Sequence, residues 1–298
     1  MKQFNKINTM FCFNRGYFQV RYLFPKTIKE ALEYVSSEKD SKFIAGGTDL
    51  INQISDGFIT PQMLIDVSQI EKLKKIERTE EGFKIGAAVT LEGITSAKFL
   101  PQCLIQGAKS IGSPQIRNLG TIGGNICNAS PCGDILTPII VLEGELVLIS
   151  PYGKRKIPAK DFFVGPKKTV IAGDEILSEI IFDKIFLKEG RSSFKKIGKR
   201  NGQTISQVNV AIWLTKRGES NKIEDIRIAV GSVAPTPLRL EKVEKFLKGA
   251  IIDQEILKDT LKIINEEIKP ISDVRASESY RRMVIGSLFQ DAFKEILS

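Results

Sequence analysis

The residues best suited to chemistry in this chain form two glycine-rich stretches. The first, Phe43-Ile44-Ala45-Gly46-Gly47-Thr48-Asp49-Leu50, joins an apolar approach to paired glycines, a hydroxyl and a carboxylate. The second, Gly120-Thr121-Ile122-Gly123-Gly124-Asn125-Ile126-Cys127-Asn128-Ala129-Ser130-Pro131-Cys132-Gly133-Asp134, repeats that chemistry in a segment too irregular for simple core. Glycine admits positive φ and lets main-chain N–H groups approach a ligand without a Cβ in the way. Consecutive N–H groups can form a concavity for an anion. Each charge-assisted hydrogen bond to a pyrophosphate contributes roughly 1.5–3 kcal/mol, so a handful of them would dominate its affinity. Thr48, Thr121 and Ser130 add hydroxyls at the same places. Either Gly-Gly pair alone also suits an ordinary tight turn; together they point to one phosphate-bearing ligand held from two sides. Asp49 and Asp134 have two readings, as ligand contacts or as the turn and cap residues that Asp often supplies.

Other chemistries are excluded. No G-x-G-x-x-G lies between a strand and a helix, and no G-K-[ST] follows either loop, so neither a Rossmann nor a Walker phosphate site is present. The chain has no histidine, which removes serine–histidine and cysteine–histidine catalysis and zinc held by imidazole. Cys12, Cys103, Cys127 and Cys132 show neither a CxxC pair nor a ladder of ligand spacings, so no metal or iron–sulfur site is expected. Cys127 and Cys132 flank the second loop and are expected to be buried or spectator thiols. With no catalytic residues of its own, the chain is expected to work through a cofactor.

The elements that must position the loops can be read from pattern. Thr27-Ile28-Lys29-Glu30 has the form of a capping box opening a helix over Ile28–Ser36. A short strand over Lys42–Ala45 then delivers the chain to Gly46 and Gly47, giving a β-α-β-like opening. Met63–Val67 and Phe83–Ala87 read as strands, and Leu104–Ile111 as a helix leading into the second loop. Strands are expected at Glu145–Ser150, Thr169–Ile171 and Ile180–Phe186. The pattern then changes to strands at Val208–Leu214 and Ile223–Val230, followed by helical periodicity over 240–248, 254–267 and 279–297. These observations divide the chain near residue 187, with a smaller α+β domain over 187–298 after it. Residues 1–9 carry no pattern, and Met10 is an alternative start.

The charge of +9 comes from 44 Lys and Arg scattered along the chain, with short clusters such as Lys195-Lys196-Ile197-Gly198-Lys199-Arg200. Nucleic-acid grooves concentrate charge and interleave it with aromatics, so no nucleic-acid partner is expected. No window approaches the roughly 18 apolar residues of a membrane span, and no secretory leader is evident. A cytoplasmic protein without a membrane partner is the expectation.

A resemblance now becomes specific. Ala45-Gly46-Gly47-Thr48-Asp49-Leu50, then Ile111-Gly112-Ser113-Pro114-Gln115-Ile116-Arg117-Asn118, Thr121-Ile122-Gly123-Gly124-Asn125 and Ala129-Ser130-Pro131, resemble the FAD-binding medium subunit of molybdenum hydroxylases, the family of the xanthine dehydrogenase and aerobic carbon monoxide dehydrogenase flavoproteins. The match continues through Gly165, Glu175-Ile176-Leu177, Phe194-Lys195-Lys196, Val208-Asn209-Val210-Ala211, Gly231 to Arg239, Arg275-Ala276-Ser277 and Tyr280-Arg281-Arg282.

The resemblance implies an α+β chain: a two-subdomain FAD-binding fold like that of vanillyl-alcohol oxidase (PCMH type), with subdomains of about 1–60 and 61–186, followed by a smaller C-terminal domain like that of the carbon monoxide dehydrogenase flavoprotein. It implies that Ile44, Ala45, Gly46, Gly47, Thr48, Asp49 and Leu50, with Thr121, Gly123, Gly124, Asn125 and Ile126, lie along the FAD diphosphate and ribityl chain. Valine at Gly123 or Gly124 should then crowd the diphosphate. Ser130 and Asp134 would meet ribityl or adenosine hydroxyls, and Ile176, Leu177 and Lys195 would lie beside the flavin. Lys195 also reads as one more surface lysine. Ile111, Gly112 and Gly120 complete the implied cofactor-binding set. The implied function is electron transfer from a [2Fe–2S] small subunit through FAD to NAD+ or another acceptor, beside a molybdenum-cofactor large subunit in a heterotrimer. Xanthine dehydrogenase is the leading parent enzyme, with carbon monoxide, nicotinate and other N-heterocycle dehydrogenases as alternatives. A stand-alone flavin oxidoreductase of the same fold would need a substrate-side general base, and none stands out; a nucleotide-binding scaffold would be colourless.

Overall fold

The computed structural model describes residues 6–13, 16–187, 190–200, 202–218 and 222–297, with residues 6–18 as backbone. The chain opens with strands β1 (Lys6–Phe13) and β2 (Gly16–Leu23), helix α1 (Ile28–Ser37), strand β3 (Ser41–Ile44), helix α2 (Leu50–Ser55) and strand β4 (Met63–Asp66). The four strands form a sheet of order β1-β2-β4-β3 in which β2 and β3 both run parallel to β4. This is the β-α-β-like opening expected from the pattern. Thr27 caps α1 by accepting from the Glu30 N–H at 3.1 Å, while the Glu30 carboxylate reaches back to the Lys26 N–H at 2.8 Å. The helix buries Ala31, Leu32, Tyr34 and Val35, residues one turn apart, against the sheet. Residues 6–9, expected to carry no pattern, belong to β1, which pairs antiparallel with β2 and contains Met10; residues 1–5 lie outside the described residues. A strand at a sheet edge finds its partner through backbone bonds, which leave little trace in side-chain periodicity.

The middle of the chain holds β5 (Ile76–Thr79), β6 (Gly82–Gly86), a run of helices α3 (Leu91–Ser96), α4 (Gln102–Lys109), α5 (Pro114–Leu119), α6 (Ile122–Asn128) and α7 (Leu136–Val141), then β7 (Glu145–Ser150), β8 (Gly153–Pro158), α8 (Ala159–Phe162), β9 (Phe163–Gly165), β10 (Lys168–Thr169) and β11 (Ile176–Asp183). Five of these strands form an antiparallel sheet of order β5-β6-β11-β7-β8. Phe83 on β6 stacks on Phe182 of β11 with ring centroids 4.5 Å apart in its core. The last strand expected here, Ile180–Phe186, is instead β11 from Ile176, and a 3-10 turn follows at Lys184–Leu187.

The C-terminal part comprises β12 (Arg191–Ile197), β13 (Val208–Lys216), β14 (Ile223–Gly231), β15 (Leu238–Arg239), α9 (Glu241–Leu247), α10 (Gln254–Glu267) and α11 (Glu278–Leu297). Its antiparallel sheet follows chain order. The alternation of β13 explains its place: Val208, Val210, Ile212 and Leu214 face the C-terminal helices, whereas Ala211 and Trp213 join the core of the middle unit. Each such buried aliphatic side chain contributes roughly 1.5–3 kcal/mol, so β13 fastens the two parts together. Among the described residues, no helix is long and apolar enough to cross a membrane.

Candidate functional site

The two glycine stretches meet. Gly46 lies so close to the end of α5 that a Cβ built on it would sit 1.8 Å from the Leu119 carbonyl oxygen. Only glycine allows that approach, and it brings the first loop against the start of the second. Between them runs a cleft of about 400 Å³ lined by Ile44 to Leu50, Gln53, Leu91, Ile111, Ile116, Gly120, Thr121, Gly124, Asn125, Cys127 and Lys167. A second lobe of about 680 Å³ shares Lys42, Phe43, Ile44, Ala45, Thr121, Gly124 and Cys127 with the first. It continues past Gly123 to Ile176 and Leu177.

The loops differ in what their backbones are free to do. In the first, no acceptor among the described residues takes the N–H groups of Gly46, Gly47, Thr48, Asp49 or Leu50, and the helical bonds of α2 begin with Ile51 N–H to Gly47 C=O at 3.0 Å. Gly47 adopts φ +68°, the conformation that turns such successive N–H groups to one side. Asp49 occupies the N-cap position of α2 without capping it, and its carboxylate accepts from the Gln53 amide.

The second stretch, expected as an irregular loop, contains helix α6, and its N–H groups are already paired. Thr121 accepts from the Gly124 N–H at 3.1 Å as the N-cap, and the Thr121 carbonyl accepts from Asn125 at 3.0 Å. The N–H groups of Ile122 and Gly123 reach Val89 and Ala87 carbonyls at 3.0 and 2.9 Å, and Gly120 C=O accepts from Leu91 N–H at 2.9 Å. A helix this short, with two glycines, is held by these external bonds rather than by propensity. A Cβ on Gly123 would meet the Ala87 Cβ and carbonyl oxygen at 2.6 Å, whereas on exposed Gly124 it would meet only Thr121 Oγ1, at 3.0 Å. Gly123 therefore packs on the protein, and Gly124 borders the cleft.

Two observations fit the cleft to an anionic, hydroxyl-bearing ligand. The Asn125 side-chain oxygen is buried with no hydrogen-bond partner among the described residues, although Asn125 lines the first lobe; such an orphaned acceptor is costly unless a donor fills the space beside it. Lys42 and Lys167, which the sequence reading missed, line the same lobe, and neither has an ion-pair partner among the described residues. Lys42 directly precedes the first motif, but nothing in the sequence around Lys167 marks it.

Of the expected site residues, Ile44, Ala45, Gly46, Gly47, Thr48, Asp49, Leu50, Ile111, Gly120, Thr121, Gly123, Gly124, Asn125, Ile176 and Leu177 line one lobe or both. The other five lie elsewhere. Gly112 forms a tight turn at φ +51° behind Ile111, Ile126 is wholly buried in core, and Ser130 accepts from the Cys132 N–H.

Asp134 is 5% exposed and is not free to meet a cofactor hydroxyl. Its carboxylate accepts from Lys196 Nζ at 2.6 Å, from the Ser206 and Ser110 hydroxyls and from Asn209 Nδ2. Burial pushes the Asp134 carboxyl above its ordinary value, and the Lys196 ammonium and the hydroxyls oppose that push. Lys195 pairs with Glu295 at 2.9 Å on the opposite side of β12. The alternation of a strand puts Lys196, not Lys195, on the inward face with Phe194. Of the cysteines, Cys103 is buried, whereas Cys127, expected as a buried or spectator thiol, is exposed at the junction of the lobes and so is not a buried one.

At the rim of the second lobe, Arg155 binds Glu175 through both carboxylate oxygens, at 2.5 and 2.6 Å, and Glu175 also accepts from the Ala172 N–H at 2.8 Å. Arg155 holds the Glu175 carboxyl below its ordinary value against a smaller opposing effect of burial.

Comparison with known proteins completes the description. Residues 17–183 match the FAD binding domain in molybdopterin dehydrogenase, and residues 192–296 match the CO dehydrogenase flavoprotein C-terminal domain. The glyceraldehyde dehydrogenase medium chain of Sulfolobus acidocaldarius is 31% identical over 280 residues, covering 92% of this chain and 97% of that one. The xanthine dehydrogenase FAD-binding subunit of Escherichia coli O157:H7 is 29% identical over 277 residues, covering 91% and 94%. Among solved structures, a chain of carbon monoxide dehydrogenase from Hydrogenophaga pseudoflava superposes with a TM-score of 0.87 at 29% identity, covering 93% of this chain and 96% of that one.

Proposed function

Because the chain belongs to the family of FAD-binding subunits of molybdenum hydroxylases, we propose that it is the electron-exit subunit of such an enzyme, passing electrons from a [2Fe–2S] small subunit to NAD+ or another acceptor. The observation that carries the reading is the run of five N–H groups, Gly46 to Leu50, with no acceptor among the described residues. They would hold the FAD diphosphate, with Lys42 and Lys167 supplying opposite charge at the same lobe. Thr121, Gly124 and Asn125 would face the ribityl chain, whose hydroxyls are the donors that the Asn125 oxygen lacks. Ile111 and Ile116 offer an apolar wall at the other side of the first lobe. Bound FAD supplies the redox chemistry, and the chain's own residues bind it, orient it and limit its exposure to water.

The relatives are chains of dehydrogenases named for glyceraldehyde, xanthine and carbon monoxide, at nearly equal identity. The reading is therefore made for the class rather than for xanthine: substrate choice would reside on a separate molybdenum-cofactor subunit, and xanthine is one member of that set. The test is to purify the chain with its co-purifying partners, record the visible spectrum and identify the released cofactor. FAD in the isolated chain, with an iron–sulfur chain and a larger molybdenum chain alongside, is the expected result. A colourless chain that takes up no added FAD would overturn the reading.

A further inference from the structure

Every described residue lining the two lobes lies at or before Leu177, so among the described residues the C-terminal part contributes no side chain to them. One of its cations, Lys196, is bonded to the turn that leads into the cleft wall. Lys196 leaves β12 toward the middle unit, with its side chain 13% exposed. Its ammonium has three protons and three acceptors: the Asp134 carboxylate at 2.6 Å, the Ser110 carbonyl at 2.8 Å and the Thr204 carbonyl at 3.1 Å. Ser110 is the C-cap of α4, where a cation also complements the helix terminus.

The next residues, Ile111 and Gly112, turn the chain into the cleft wall. A Cβ on Gly112 would lie 2.8 Å from Ile116, so the turn and the second wall residue are packed as one piece. Arg117 holds the far side of the same turn by donating to the Lys109 and Ile111 carbonyls at 3.2 and 3.4 Å while paired with Glu92. Asp134 is braced in turn by Ser206 and Asn209, both from the C-terminal part, and Asn209 accepts from Thr137 on α7 at 2.9 Å. A charge pair this buried is costly unless fully bonded, and here the ammonium is.

We propose that Lys196 and Asp134 are positioning residues, a buried latch through which the C-terminal part sets the Ser110–Gly112 turn and hence the Ile111–Ile116 wall of the cofactor cleft. The proposal rests on the FAD reading above. It makes the C-terminal part a determinant of cofactor binding without any contact to the cofactor.

The test compares the full-length wild type, the double variant Lys196→Met/Asp134→Asn, and Glu143→Gln. The double variant removes both charges together, so that neither is left stranded. Glu143 also bridges the two parts, accepting from Arg227 and Arg239 at 2.9 and 2.7 Å, but it shares no partner with the turn. Melting temperature without cofactor, the FAD dissociation constant and the position of the visible flavin bands are measured for each. The double variant is expected to bind FAD on the order of tenfold more weakly, the scale at which partners that orient a binding group act, with shifted flavin bands. Glu143→Gln is expected to lose stability with affinity and bands unchanged. A double variant that melts lower yet keeps wild-type affinity and bands overturns the proposal and leaves the FAD reading standing. If it does not fold, Ser206→Ala, which removes one donor to Asp134 and keeps the charge pair, carries the same comparison, and unchanged affinity and bands there overturn it. A wild type that binds no FAD sinks both readings.

Discussion

Residues 44–50 and 120–128 share a composition and do opposite work. In the first loop the backbone is left open: five successive N–H groups have no acceptor among the described residues. In the second the N–H groups of Ile122, Gly123, Gly124 and Asn125 are all paired, three with backbone carbonyls and one with the Thr121 hydroxyl. Glycine serves accordingly. Gly47 sets a turn at positive φ, Gly46 and Gly123 let segments touch, and Gly124 leaves space at the cleft. A Gly-Gly pair can thus mark a cradle or a buttress, and what decides is whether the surrounding N–H groups already have acceptors; a neighbouring segment within about 3 Å of the absent Cβ, a separation that real side chains do not tolerate, marks the single glycines Gly46 and Gly123 as packing points.

The largest test of this contrast is at the points of closest approach. Gly46→Ala places a Cβ 1.8 Å from the Leu119 carbonyl oxygen, and Gly123→Ala places one 2.6 Å from Ala87. Each should cost about 3 kcal/mol or more, at the upper end for overpacking, seen as a lower melting temperature or loss of soluble protein before any FAD is added. The Gly123 result would correct the expectation that a side chain there crowds the diphosphate. Wild-type melting by Gly123→Ala would show instead that α6 can move off Ala87.

Gly124→Ala separates cofactor from fold. Its Cβ meets only Thr121 Oγ1, and alanine in a helix is favoured over glycine by roughly 0.5–1 kcal/mol. Apo stability should change by less than about 1 kcal/mol, since only the Thr121 hydroxyl has to yield to a Cβ at 3.0 Å, while FAD affinity falls in a titration. Undiminished FAD binding would move the ligand away from this face of α6.

A smaller effect is expected from acid. The Glu175 carboxyl is held below its ordinary value of 4.5 chiefly by Arg155. A depressed carboxyl contributes stability that is complete above its unfolded value and lost as pH falls through the folded one. Stability should therefore be insensitive to this pair from pH 8 to 5 and decline below about 4.5. Glu175→Gln should flatten that acid limb, and a limb of unchanged steepness would remove the pair from its cause.

Much of the fold was legible because it rests on local signals. Thr27 and Glu30 announced α1, and the periodicity over 254–267 coincides with α10 (Gln254–Glu267). The strand β12 (Arg191–Ile197) escaped, since its last residues fall in the basic cluster Lys195 to Arg200 and its alternation shows only when Phe194 and Lys196 are seen to share one face. Helix α6 escaped too, because its two glycines argue against helix and the carbonyls of Ala87 and Val89 that hold it are distant in sequence. At the site the motif residues of both loops were legible, but Lys167 and the fate of Asp134 were not.

Residue types and short-range order were enough to establish the absence of histidine chemistry, the two anion-suited loops and the family to which they belong, because these depend on what each residue can do. Which glycine cradles and which buttresses, why Lys196 rather than Lys195 turns inward, and how Asp134 came to serve the protein interior were settled only when remote segments met. Close packing and the pairing of buried charge depend on neighbours that the chain brings together across long stretches of sequence, and no local pattern names them.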